Sequence, residues 1–257
     1  MGKVRIIAVT NQKGGVGKST TVINLSACLA EAGKKVLAID VDQQGNTTSG
    51  LGLDKNGMEQ TIYNVFLNEI GIEDIRHKTV VDGLEVIPAN ISLTGAEIEL
   101  IGKENREFVL KEELAKIKDE YDFILIDCPP SLNLITVNAL IAADTVLVPI
   151  QCEYFALEGL EQLLYTINLV KKRLNPELAI EGIVFTMYDA RTNLSMQVVE
   201  EVKRSLGNTV YRSIIPRNVR LGEAPSHGLP IHLYDPKSKG TESYRLLAEE
   251  VMDKEWN

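Results

Sequence analysis

The chain has little of what redox and zinc centres are built from. Its 257 residues include three cysteines, Cys28, Cys128 and Cys152, and three histidines. No two cysteines form a CxxC pair and no histidine stands at a zinc-like spacing, so the cysteines read as buried thiols in a reducing compartment. Also lacking is any apolar run long enough to span a bilayer. The apolar start from Val4 to Val9 is too short for a signal peptide, and a glycine-rich loop follows it rather than a cleavage site; the expected location is the cytoplasm. No internal repeat, low-complexity tract or linker interrupts the chain, so a single domain over residues 1–257 is the economical reading.

What is present is ordinary in bulk and uneven in charge. Hydrophobic residues make up 44% and charged residues 25%, the proportions of a globular protein with a sizeable core. The formal net charge of −9 taken alone argues against nucleic acid. From Leu160 to Arg245, however, about twelve Lys and Arg face nine Asp and Glu, so this part is mildly basic and the remainder strongly acidic.

Strand and helix patterns alternate almost throughout. Strands are predicted at Arg5–Asn11, Lys35–Val41, Leu84–Pro88, Asp122–Asp127, Thr145–Ile150, Ile180–Met187 and Val210–Ile215. Helices are predicted from Lys18 to about Ala32, then Glu104–Glu120, Phe155–Leu174, Leu194–Leu206 and Glu242 to about Asp253, with short helical patterns at Thr61–Asn68 and Ile72–Lys78. Gln43 to Gly57 is polar and glycine-rich and reads as loop. Continuous apolar strands between helices predict an α/β fold: a doubly wound, mostly parallel twisted sheet with helices on both faces.

Between the first strand and first helix lies NQKGGVGKST, the context a phosphate-binding P-loop requires. Gly14, Gly15 and Gly17 let the backbone turn its N–H groups inward on phosphate oxygens, with Val16 and Thr20 part of the same cradle. The helix opening at Lys18 adds its N-terminal dipole. Lys18 is placed to reach the β- and γ-phosphates and Ser19 to offer its hydroxyl to Mg²⁺. The strict pattern G-x-x-x-x-G-K-[ST] fails at its first position, where Gln12 stands. Lys13 is the unexpected residue. A lysine at the lip of the loop bends back poorly onto phosphates held by its own chain, but it could reach those held by a second copy. Solvated loop lysine is the other reading, and spacing does not choose.

Three acids end predicted strands. Asp40 and Asp42, in IDVD, are two residues apart and share a strand face. On residues alone Asp42 reads equally as a turn carboxylate. Asp127 ends FILID, a carboxylate at a strand tip placed to meet Mg²⁺ through water.

KGGVGKS resembles the deviant Walker A motif of the ParA/MinD group of P-loop ATPases, and the likeness covers essentially the whole chain. DQQGNTTSGLG (Asp42–Gly52), IDCPPSLNLITVNAL (Ile126–Leu140), QCEYFALEGL (Gln151–Leu160) and IPRNVRLGEAPSHG (Ile215–Gly228) look like the Soj/ParA chromosome-partitioning branch. The common string of that branch has Pro where this chain has Gln43. The resemblance implies that Lys13 is a signature lysine crossing a nucleotide-sandwich dimer formed with MgATP. It implies that Asp42 orients or activates the attacking water, that Asp40 lies near the Mg²⁺ shell, and that Asp127 is the Walker B acid. It places Pro216 and Asn218 beside adenine with Met187 packed nearby. It implies that Arg191 and Arg220, with Arg217 a weaker candidate, contact phosphates of double-stranded DNA without reading sequence, giving a nucleoid-associated protein. A ParB-like centromere-binding partner would stimulate hydrolysis to ADP and phosphate. The replication initiator, and in spore formers sporulation, are further implied connections.

Four other functions remain at this stage. A MinD-like division-site ATPase acting at the membrane needs a C-terminal amphipathic helix with a basic face, whereas TESYRLLAEEVMDKEWN carries more acids than bases. An oxidoreductase resembling the nitrogenase iron protein needs cysteines meeting across a dimer axis. A non-enzymatic DNA-coating protein has no use for Lys18, Asp42 and Asp127 together. A small-molecule P-loop kinase needs an acceptor pocket that the sequence does not reveal.

Overall fold

A computed structural model describes residues 3–153 and 156–254. The first half runs β1 (Arg5–Val9), α1 (Lys18–Glu31), β2 (Val36–Asp40), α2 (Asn46–Gly50), α3 (Ile62–Phe66), β3 (His77–Lys78), β4 (Leu84–Ile87), α4 (Leu93–Glu99), α5 (Val109–Ile117) and β5 (Phe123–Asp127). The second continues with α6 (Leu134–Ala142), β6 (Thr145–Gln151), α7 (Ala156–Arg173), β7 (Ala179–Tyr188), α8 (Asn193–Leu206), β8 (Val210–Pro216), α9 (Val219–Glu223), α10 (Ile231–Tyr234) and α11 (Lys239–Asp253).

The strands form one sheet in the order β3-β4-β2-β5-β1-β6-β7-β8. Every neighbouring pair is parallel except the short edge pair β3–β4. Strand alternation feeds two cores. Ile6 and Ala8, Leu37 and Ile39, Ile124 and Ile126 pack into one apolar cluster. Ile7 and Val9, Val36 and Ala38, Phe123 and Leu125 pack into the other. Both faces of β1, β2 and β5 are therefore dry, which is why these strands read as continuous apolar runs. The helix α1 is buried from Thr21 to Ala30, packed between the sheet and α11.

Several expectations change in detail. The stretch Gln43–Gly57, expected as loop, contains α2; NTTSG has no apolar period, and tertiary hydrogen bonds to its threonines hold it instead. The helix expected over Glu104–Glu120 begins at Val109, after Gly102 and Asn105 at φ 84° and 56°. Ile72–Lys78 is a 3-10 turn at Ile72–Ile75 followed by β3. The helices α4 and α6 were not anticipated. In α6 burial extends over seven of the residues in LITVNALIA, Asn138 and Thr136 included, so no polar face marks a helical period. The closing helix begins at Lys239 rather than Glu242, because the Ser238 side chain caps it by accepting from the Thr241 N–H at 3.2 Å. The expected helix start at Phe155 lies outside the described residues.

All the strands of the sheet except the short edge strand β3 point their C-terminal ends to one side, and the two ends of the sheet are built differently. At the N-terminal end, the fully buried Glu181 of β7 accepts from the Thr145 hydroxyl at 2.7 Å, the Tyr211 hydroxyl at 2.9 Å and the Arg5 guanidinium at 3.4 Å. Arg5 also donates to the Val251 and Lys254 carbonyls at 2.7 and 2.8 Å, fastening the end of α11 beneath the sheet. The outer strand β8 is covered as well: Glu250 accepts from the N–H groups of Arg212 and Ser213 at 2.9 and 2.7 Å, blunting an edge that could pair with another chain. Among the described residues, no helix is long and apolar enough to cross a membrane.

Glu181→Ala removes the shared acceptor of this buried network. It is expected to cost about 3–5 kcal/mol, a Tm fall of roughly 6–20 °C for a domain of this size, while the nucleotide affinity expected of the glycine-rich loop, at the opposite end of the sheet, is kept. Thermal melts and a nucleotide titration check both halves.

Candidate nucleotide site

The loop between β1 and α1 is braced from outside. Asn11 donates from its amide to the Pro149 carbonyl at 2.8 Å and accepts from the Lys13 N–H at 3.0 Å. Thr186, on β7, donates to the Val16 carbonyl at 2.8 Å. Gly15 and Gly17 take φ of 73° and 87°, a left-handed backbone that a side chain would strain. Gly17 precedes α1 without capping it through a side chain, so the helix opens onto the loop with first-turn donors available to an anion.

A cleft of about 630 Å³ lies above this loop. Gly14, Gly15, Gly17, Lys18, Ser19 and Thr20 form its floor. Asp42, Gln44, Asn46 and Ser49 line one wall, and Met187 with residues 221, 222, 225 and 226 line another. Lys18 is buried, and its ammonium donates to the Lys13 carbonyl at 3.2 Å. Burial lowers its pKa, while Asp127 and Asp42 pull the other way.

Two carboxylates lie side by side under the loop. Asp40 and Asp127 are register partners on β2 and β5, and both are fully buried. Burial, and for Asp40 the charge of Asp127, push these pKa values above the usual carboxylate range. The two are satisfied unequally. Asp40 accepts three hydrogen bonds, from the Asp42 N–H at 3.1 Å and from the Thr48 N–H and hydroxyl at 2.8 and 2.7 Å. Asp127 accepts from the Thr47 hydroxyl at 2.7 Å through Oδ2. Its Oδ1 is buried and makes no well-formed hydrogen bond among the described residues, although the Ser19 hydroxyl is close enough to oppose the upward shift. An orphaned carboxylate oxygen beside the P-loop serine suits a hydrated divalent cation. No cluster of three or more His, Cys, Asp or Glu that could hold a metal occurs among the described residues, and magnesium needs none where phosphates and water complete its shell.

Asp42 lines the cleft and also takes the turn role its surroundings suggested, accepting from the Gln44 N–H at 2.9 Å. Lys13 stands outside on the rim, its ammonium paired with Glu153. Met187 reaches the cleft with φ of 50°, a conformation that costs a bulky residue of order 1–3 kcal/mol and marks sites under functional constraint. Pro216 and Asn218 are not among the lining residues. Asn218 instead caps α9, accepting from the Arg220 N–H at 2.9 Å. The wall residues Leu221, Gly222, Pro225 and Ser226 were missed, as were Thr47, Thr48 and Thr186; these work through tertiary neighbours that no local pattern announces. Cys28, Cys128 and Cys152 are free and buried, and burial raises their pKa values.

Arg191 and Arg217 lie on exposed loops past β7 and β8, and Arg220 is exposed on α9. Arg191 is clamped by Asp189 through Nε at 2.8 Å and a terminal nitrogen at 2.6 Å. Arg217 is near enough to lower the Asp189 pKa further. Arg220, one helix turn on, pairs with Glu223 at 2.8 Å. These are solvent-exposed ion pairs, weak enough to exchange partners.

Residues 4–180 match the family described as "AAA domain". The "Sporulation initiation inhibitor protein Soj" of Bacillus subtilis (strain 168) is 59% identical over 251 residues, 98% of each chain. The "Chromosome partitioning protein ParA" of Myxococcus xanthus (strain DK1622) is 55% identical over 251 residues, 98% of this chain and 89% of its own. A crystal structure of cobyrinic acid a,c-diamide synthase from Mycobacterium smegmatis, with bound ATP analogue and magnesium, has a TM-score of 0.85 at 38% identity, covering 97% of this chain and 94% of that one.

The paired carboxylates make a stability prediction. Their folded pKa values are raised, so in EDTA the wild type loses stability as pH rises through them. Asp127→Asn removes one charge and is expected to melt higher at neutral pH, by roughly 2–4 °C for each kcal/mol of repulsion relieved. The advantage should vanish near pH 4, where the wild-type carboxyls are protonated. Melting curves across pH test this; a variant less stable than wild type at pH 7 would contradict it.

Proposed function

Because the chain belongs to the Soj/ParA family of chromosome-partitioning ATPases, we propose that it binds MgATP in this cleft, dimerises around it, and hydrolyses it slowly. The observation that carries the reading is that Lys18 and Asp42 line one cleft, with Asp127 buried beside them and acting on the Lys18 charge, and with Lys13 at the lip of the loop. The Gly14–Thr20 backbone wraps the phosphates, with Val16 held by Thr186. Lys18 leaves the Lys13 carbonyl for the β- and γ-phosphates. Ser19 and Asp127 hold the magnesium, which neutralises phosphate charge when bound. Asp40, already saturated by three donors, supports Asp42 from behind. Asp42, on the wall facing the loop, orients the attacking water. Met187 and the 221–226 wall receive the base, with Pro216 and Asn218 setting the course of the chain into that wall.

Lys13 completes the site of a second copy. Its partner Glu153 is an exposed one, and such pairs are worth about 0–1 kcal/mol, so exchange for a neighbour's triphosphate is cheap. The lysine is present only after assembly, which makes hydrolysis slow in the single chain. Dimerisation also doubles the arginines Arg191, Arg217 and Arg220, letting a weak phosphate-binding surface on an acidic protein hold arbitrary duplex DNA. A ParB-like partner then accelerates hydrolysis and releases the DNA. The buried state of Cys28, Cys128 and Cys152 offers no support to cluster chemistry.

Sedimentation with ATP, ADP and no nucleotide tests the cycle. The Asp42→Ala variant should persist as an ATP-bound dimer and release little phosphate; a variant that stays single at high concentration with ATP would defeat the reading. For the DNA step, Arg191→Glu with Arg220→Glu is expected to abolish ATP-dependent duplex binding with the ATPase intact. Wild-type binding should weaken steeply between about 50 and 200 mM salt, as a filter or gel assay reads directly.

A further inference from the structure

Two adjacent threonines on α2 treat the two buried acids differently. Thr48 gives both its N–H and its hydroxyl to Asp40 Oδ2, and its hydroxyl oxygen accepts from the Ala89 N–H at 2.9 Å. With the Asp42 N–H on Oδ1, Asp40 is a closed structural carboxylate. Thr47, wholly buried, spends its single hydroxyl proton on Asp127 Oδ2 at 2.7 Å. That bond fixes the rotation of the Asp127 carboxyl about its terminal torsion, which is otherwise broad and two-fold. It leaves Oδ1 as the one buried, unpartnered oxygen of the pair among the described residues. The Ser19 hydroxyl lies close to the same carboxyl.

We infer that Thr47 is a positioning residue for the magnesium site: its hydroxyl holds one oxygen of Asp127 so that the other stays presented to the cation's shell beside Ser19. This rests on the MgATP reading above and adds a residue to it. Thr47 follows Asp42 by five positions, through Gln44 and the left-handed Gly45, φ 59°. The same short segment therefore carries the water-orienting acid and the hydroxyl that sets the metal carboxylate. Any shift of α2 moves both together, which couples the aim of Asp42 to the magnesium shell. Groups that orient a ligand in this way typically change metal affinity about 10- to 100-fold when removed.

The test is the ratio of ADP affinities measured by calorimetry with Mg²⁺ and in EDTA, for wild type, Thr47→Val and Thr47→Ser. Thr47→Val keeps the shape and loses the donor. Its Mg²⁺-to-EDTA ratio is expected to fall roughly ten-fold or more, with the EDTA affinity and the circular dichroism spectrum unchanged. Thr47→Ser keeps the donor and should keep the wild-type ratio, with the same dependence of hydrolysis on Mg²⁺ concentration. A Thr47→Val ratio equal to wild type overturns the assignment, as does an equal loss with and without Mg²⁺. Should Thr47→Val fail to fold, Thr47→Ser still decides: a serine variant that folds but loses the ratio means the hydroxyl is not the positioning group. A wild-type protein indifferent to Mg²⁺ would instead remove the MgATP reading, and this assignment with it.

Discussion

The site is organised by the close burial of two carboxylates at the tips of adjacent strands. Asp40 and Asp127 are register partners in a sheet that is dry on both faces, and burying like charges side by side is costly. The fold answers with hydrogen bonds for Asp40 and with one cation, Lys18, pulled under the P-loop near Asp127. The charge is not fully answered within the chain. Asp127 keeps an open oxygen, and the cation at the lip, Lys13, is turned out to Glu153. A triphosphate would add more negative charge to the same place. On the proposed reading the balance is closed from outside: by magnesium at the open oxygen and by a lysine from a second copy of the chain.

That arrangement explains the division of the molecule. The N-terminal end of the sheet is locked by Glu181, Arg5, Tyr211 and the end of α11, a buried network that has no need to move. The C-terminal end carries short segments held by a few side-chain hydrogen bonds: α2 by its threonines, the P-loop by Asn11 and Thr186, α9 by Asn218. Ligand-dependent change is expected where attachments are few, and the candidate site is assembled from those segments.

Much of this was legible in the chain itself, for identifiable reasons. Strands buried on both faces appear as apolar runs, and β1, β2, β5 and β6 stand within one or two residues of their expected bounds. The P-loop was legible because glycine and lysine spacing is set by phosphate geometry, and Asp127 because a carboxylate ending an apolar strand has few other uses. α6 was invisible because burial over most of its length erases its period. α2 was invisible because its stability lies in bonds from Thr47 and Thr48 to acids on other strands. Pro216 and Asn218 were expected beside the base; the Asn218 side chain caps α9, and residues a few positions further on line the cleft. The unequal treatment of Asp40 and Asp127 could not be read from spacing, since both simply end strands.

The central claim is that charge balance at each nucleotide is completed by the other chain's Lys13. Mixing two inactive variants, Lys13→Ala and Asp42→Ala, before adding ATP tests it most directly. In a mixed dimer the Lys13→Ala chain retains its own Asp42 and receives Lys13 from its partner. The account predicts that the mixture recovers phosphate release that neither variant shows alone. If the mixture stays as inactive as its components while mixed dimers form, the lysine acts within its own chain or not at all, and the account is wrong.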